Sequence, residues 1–138
     1  MSRDKFFTGF YGYFEVLVDL SSGFFMIFGT GLFLNQYIPG FDAVISSPAA
    51  ALLARSFGLM VVISGLLQYA IINHGNKKVR QLGLLGLAIG DLLQIVVSVM
   101  FFREYGEWNF LNTFNLIFTP SLILSRFYFL ITGVPDRE

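Results

Sequence analysis

Residues Leu82 to Phe102 read LGLLGLAIGDLLQIVVSVMFF, an apolar run of 21 residues with one acid, Asp91, near its middle. At about 1.5 Å per residue a helix of this length reaches roughly 31 Å, close to the thickness of a bilayer's hydrocarbon core. The run therefore reads as a membrane span. Gly83, Gly86 and Gly90 mark one side of it, and the last two form a GxxxG step suited to close helix–helix packing. Asp91, Gln94 and Ser98 follow at helical spacing and make the neighbouring flank polar. A helix facing only lipid would carry neither feature, which predicts a central place in a bundle.

Composition places the whole chain in the same class. Of 138 residues, 55% are hydrophobic, 17% aromatic and only 13% charged, with a mean hydropathy of +0.69. Soluble domains carry about 25% charged residues, so a mostly wet surface is excluded. Seventeen Phe, six Tyr and fourteen Gly suit lipid-facing and helix-packing surfaces. Cysteine is absent, which removes disulfides, thiol catalysis and thiolate metal sites. A formal net charge of zero offers no basic field for nucleic acid.

Outward from Leu82, three further spans are predicted: about 10–34, 49–72 and 109–132 alongside 82–102. Together they make a single transmembrane domain over 1–138, an all-α antiparallel four-transmembrane-helix bundle. Tyr11, Tyr13 and Tyr37 flank span one, where amphipathic rings favour the interface. Pro39, Gly40 and Asp42 mark a loop, and Pro48 suits the start of span two. His74 to Arg80 reads as a tight basic connection, with His74 facing solvent. Arg103 to Glu107 reads as a second short loop, and Pro135 stops span four. Met1 to Thr8 has no small-residue cleavage site before the first apolar run, so span one is expected to be retained.

Lys and Arg near the span ends number two before span one, three between spans two and three and one at the tail, against one between spans three and four. By the positive-inside rule both termini are expected in the cytoplasm.

Five ionisable residues fall inside spans: Glu15, Asp19, Arg55, Asp91 and Arg126. Each costs about 2.5 to 3.5 kcal/mol to insert, so they should face the bundle interior and find partners. Counted from the cytoplasmic ends, Glu15 and Arg126 lie at one depth and suggest an ion pair. Asp19 and Asp91 lie at another, where they could share a proton, relay one or polarise a substrate, or each hydrogen-bond a neighbour such as Gln68 or Gln94. Arg55 enters from the opposite side, near the level of Asn112 and Asn115. Asn112, Asn115, Thr119 and Arg126 share one face of span four, with Pro120 loosening its middle. These form a predicted intramembrane polar site: Glu15, Asp19, Arg55, Gln68, Asp91, Gln94, Asn112, Asn115 and Arg126.

Ala54 to Gly58 read ARSFG at the opening of span two. With the span and loop lengths over about Ala50 to Phe129, this resembles the ergosterol-biosynthesis scaffold family of small endoplasmic-reticulum membrane proteins. The resemblance implies a scaffold in that membrane, with Arg55 as a structural or interaction residue. The chain departs from the pattern at Gln68, where an arginine is expected, and at Asp91 and Ile95, where a histidine and a glutamate are. The Arg55-x-x-Gly58 pattern is also similar to that of DoxX-like four-helix proteins.

No phosphate loop, zinc-protease motif or nucleophile–base pair is present, and no cofactor is implied. The leading expectation is a non-enzymatic accessory or scaffold subunit that associates with other integral membrane proteins or with copies of itself, among membrane lipids. The intramembrane acids support two rivals. One is a binder, carrier or isomerase of an apolar ligand such as a sterol, quinone or carotenoid; the other is a small proton-coupled transporter.

Overall fold

The computed structural model describes residues 2–37, 48–105 and 110–136, with the side chains of residues 36, 37, 101, 104, 105, 110–112, 114 and 115 outside that description. The described residues are helical, with no strand among them. The helices are α1 (Arg3–Phe28), α2 (Thr30–Tyr37), α3 (Pro48–His74), α4 (Lys77–Tyr105) and α5 (Phe110–Thr132). Three stretches are long and apolar enough to cross a membrane: Arg3–Phe28, Pro48–His74 and Lys77–Met100, consistent with an integral membrane protein. In α5 the described apolar stretch, Leu116–Thr132, is shorter than these.

Several boundaries differ from the sequence reading, and local hydrogen bonding explains each. Span one begins seven residues early because Ser2 caps α1, its Oγ accepting from the Lys5 amide at 3.3 Å, with Asp4 in the first turn. It ends at Gly29 (φ −104°, ψ 30°), and the chain resumes as α2. Lys77, Lys78 and Arg80, read as a loop, belong to the first turn of α4. Asn76 caps that helix, its Oδ1 accepting from the Val79 amide at 3.0 Å. A basic first turn opposes the helix dipole, and the Asp4 carboxylate offsets this by pairing with Arg80 at 2.7 Å. Arg103, read as the second loop's first residue, is the last turn of α4. The loop expected around Pro39 lies outside the described residues.

Contacts between helices fix their relative directions. Gly12 meets Asn73, Gly65 meets Asp19, and Gly23 meets Gly58, so α1 and α3 run antiparallel. They touch backbone to backbone: a Cβ on Gly23 would stand 2.8 Å from the Gly58 carbonyl oxygen, and one on Gly58 would stand 2.8 Å from that of Gly23. Arg3 reaches Thr132, and Phe7 packs edge-on against Phe129 at 5.0 Å, so α5 also runs against α1. Asp4 pairs with Arg80, and α4 runs with α1.

Phe7, Tyr11, Ile72, Leu84, Phe129 and Val134 form the buried core. It lies at the end where the first turn of α1, the α3–α4 connection and the last turn of α5 meet. Among the described residues the outer faces are rich in large apolar side chains, with Phe28 81%, Leu124 72%, Leu53 71% and Ile131 82% exposed. A water-facing surface does not carry so many large apolar side chains, whereas a lipid-facing one requires them.

The glycine contact between α1 and α3 yields a prediction. Gly23→Leu and Gly58→Leu each force the helices apart and are expected to cost about 1–3 kcal/mol through overpacking, lowering the midpoint of helix loss on heating in detergent. Gly86→Ala, whose Cβ meets nothing within 4 Å, is expected to leave that midpoint unchanged or raised.

Candidate functional site

The polar centre is built on an irregularity in α1. Residues Phe10–Phe14 form a π-helical turn in which the Glu15 amide donates to the Phe10 carbonyl, five residues back. Widening the turn shifts the backbone pairing, and α3 supplies side chains to the carbonyls so presented. Gln68 Nε2 donates to the Tyr11 carbonyl at 2.9 Å, and Asn73 Nδ2 to that of Gly12 at 3.0 Å. Gly12 is required for the second contact, since a Cβ there would stand 2.7 Å from Asn73 Nδ2. The turn sets the facing of Glu15, the residue that follows it.

Glu15 is 3% exposed and pairs through Oε1 with Nη2 of Arg126, itself 1% exposed. The same guanidinium stands 3.0 Å from Asp91 through Nη1, near enough for an ion pair but without the alignment of a hydrogen bond. Arg126 thus gathers carboxylates from α1 and α4 onto α5. Its Cζ lies 5.9 Å from the Tyr11 ring centroid, and the Tyr11 hydroxyl hydrogen-bonds Ser125. Glu15 Oε2, Gln68 Oε1 and Arg126 Nε are buried without a hydrogen-bond partner among the described residues.

Above this cluster lies a cavity of about 450 Å³. Glu15, Asp19, Asp91 and Arg126 form its floor, followed by a belt of Ser22, Ser64, Gln94 and Thr119. Phe25, Met26, Phe33, Phe57 and Phe118 line the rest. In the helix registers above, the polar groups occupy the level of Glu15 to Ser22 on α1, and the aromatic ones the level beyond. From Glu15 to Met26 the chamber spans roughly 16 Å along α1. Its charged groups gather at one end, among Val18, Leu87 and Leu122, and most of its aromatic rings lie toward the other.

The structure brings Glu15, Asp91 and Arg126 into contact and places Asp19 on the same cavity wall. Asp91 therefore pairs with arginine, while Asp19 makes no ion pair or hydrogen bond among the described residues. Gln68 holds the π-turn, and Gln94 Nε2 donates to Ser98 Oγ on its own helix at 3.3 Å. Arg55 stands apart from the cluster, its Nε 3.4 Å from Thr30 Oγ1 at the start of α2. The side chains of Asn112 and Asn115 lie outside the described residues. Of the three glycines read as a packing edge, Gly83 meets Ile71 of α3. Gly86 and Gly90 instead border the cavity, with nothing within 4 Å of an added Cβ. Their helix turns them toward the gap between α4 and α1, so close packing falls to Gly23 and Gly58. His74 is exposed, with its ring against Tyr69 at 5.8 Å. Among the described residues no group of three or more His, Cys, Asp or Glu is placed to hold a metal.

Sequence reading missed the Arg80–Asp4 pair, which joins α4 to the first turn of α1. Its signal was present: an acid and a base flanking apolar runs whose N-terminal ends lie on the same side. The π-turn left no such signal, because FYGYF resembles any aromatic stretch near an interface.

The cluster predicts a strongly non-additive mutant series. Arg126→Met leaves Glu15 and Asp91 uncompensated and is expected to cost about 3–5 kcal/mol. Adding Glu15→Gln and Asp91→Asn to it is expected to recover most of that loss, read as unfolding in mixed detergent micelles. Comparison with protein-family models, with curated proteins and with solved structures returns no match.

Proposed function

We propose that this chain is a four-span antiparallel membrane bundle, with both termini on the cytoplasmic side, that binds an apolar small molecule through a polar end held in the cavity above Arg126. The observation that carries this reading is the cavity itself. Its volume of about 450 Å³ falls within the range of small-molecule sites, about 300–1,000 Å³. Its walls are drawn from α1 through α5, and it reaches the acids Asp19 and Asp91. A closed polar network would favour the accessory-subunit reading, since a purely structural cluster has no use for adjoining empty space. Here the ionic floor and the aromatic walls have the order expected of a site for a molecule with a head and a tail.

Orientation follows from Arg3, Lys5, Lys77, Lys78 and Arg80 gathering at the end where the termini meet. Gly86 and Gly90 support the ligand reading in a second way, because bare backbone on the wall enlarges the chamber without weakening a helix contact.

The test is ligand retention. Protein purified in mild detergent and examined by native mass spectrometry, with solvent extraction of what it releases, is expected to carry a stoichiometric apolar molecule. Gly90→Leu, which projects a side chain into the cavity, is expected to abolish that retention while leaving the helical circular-dichroism spectrum intact. An empty wild-type protein, or one whose bound molecule is indifferent to Gly90→Leu, overturns the reading. Recovery of a stoichiometric partner protein by crosslinking, with no small molecule, returns the chain to the accessory class.

A further inference from the structure

The cavity floor carries an imbalance of charge. Three carboxylates, Glu15, Asp19 and Asp91, border it, and one cation, Arg126, answers them. In a low-dielectric interior an uncompensated carboxylate is expensive, and charges there are normally paired or neutralised. Arg126 is already engaged by two of the acids. Asp19 borders the cavity without an ion pair among the described residues, and Glu15 keeps its second oxygen buried beside the floor. Glu15 is 3% exposed, so bulk water does not serve that atom.

The acceptors left over at the floor are therefore carboxylate oxygens, those of Asp19 and, buried beside them, Oε2 of Glu15. A molecule that satisfies them must donate hydrogen bonds, and positive charge on it would remove the imbalance. An anionic head is disfavoured, because Arg126, the one cation among the described residues of the floor, is held from two sides. A bare divalent metal is disfavoured too, since no described trio of acids or histidines is placed to coordinate one. Beyond the uncharged belt of Ser22, Ser64, Gln94 and Thr119, Phe25 and Phe57 offer an apolar slot.

We infer that the occupant of this cavity is a cationic amphiphile, an alkyl or aromatic amine whose ammonium group sits against the Asp19 carboxylate and whose apolar body lies among the phenylalanines. This rests on the ligand-site reading above and narrows it. Sterols and quinones, which present a hydroxyl or a carbonyl, lack the charge the floor calls for.

Three probes of one chain length separate the outcomes: dodecylamine, dodecanol and dodecanoate, each radiolabelled. Binding is measured to the full chain in phosphatidylcholine nanodiscs, after subtraction of protein-free nanodiscs. Saturable binding of the amine at least about tenfold tighter than that of the alcohol is expected, with the acid weakest. Asp19→Asn is expected to weaken amine binding about tenfold and to leave alcohol binding unchanged. Gly90→Leu is expected to remove all saturable binding. If the alcohol binds as tightly as the amine and Gly90→Leu still blocks it, the cavity is a ligand site and the cationic head is wrong. If no probe binds saturably, both readings fall. The wild-type ranking of the three probes decides the matter even if Asp19→Asn fails to fold.

Discussion

One guanidinium organises this molecule. Arg126 projects from α5 into a region with little water, where an unpaired charge is costly, and acids brought from two other helices pair with it. Lipid offers helices no hydrophobic reason to associate, so association depends on packing and on polar groups that cannot be satisfied elsewhere. The Glu15–Arg126–Asp91 cluster supplies such groups to α1, α4 and α5 together. Helix α3 joins by another route, through the glycine contact with α1 and the amide side chains that hold the π-turn.

These two kinds of contact are unevenly distributed along the helices. The aromatic and aliphatic core, the Arg80–Asp4 pair and the bonds of Arg3 to the Thr132–Gly133 segment all lie at one end. Beside the ionic cluster the wall of α4 carries Gly86 and Gly90 in place of larger side chains, and the interior opens. The acids thus have two tasks, to close the packed end and to form the base of the open part. A group with both tasks cannot be neutralised fully by its structural partner, and the unpartnered oxygen of Glu15 records that compromise.

Much of this was legible in the chain. Apolar run lengths locate the helices, and insertion cost alone says that Glu15, Asp91 and Arg126 must look inward. Counting depth from the span ends matched Glu15 with Arg126, because both start from well-marked interfaces. The same count set Asp91 beside Asp19 rather than beside arginine. Depth fixes height along a helix but not the rotation about it, and the reach of an arginine spans more than a turn. Of the glycines read as a packing edge, Gly83 meets another helix, and the other two differ for a related reason. Gly86 and Gly90 have the spacing of a packing motif, yet spacing does not say whether the facing space is filled. The contact that is filled, Gly23 against Gly58, pairs single glycines on different helices and has no signature within either. The helix starts were misplaced where a cap overrode hydropathy, at Ser2 and Asn76.

The bare wall of α4 also bears on how such a protein could diversify. Because a Cβ at Gly86 or Gly90 meets nothing within 4 Å among the described residues, a modestly larger residue at either position changes the room inside before it presses on the surrounding scaffold. Single-codon changes there would resize the chamber stepwise, leaving selection free to act on the occupant independently of the fold.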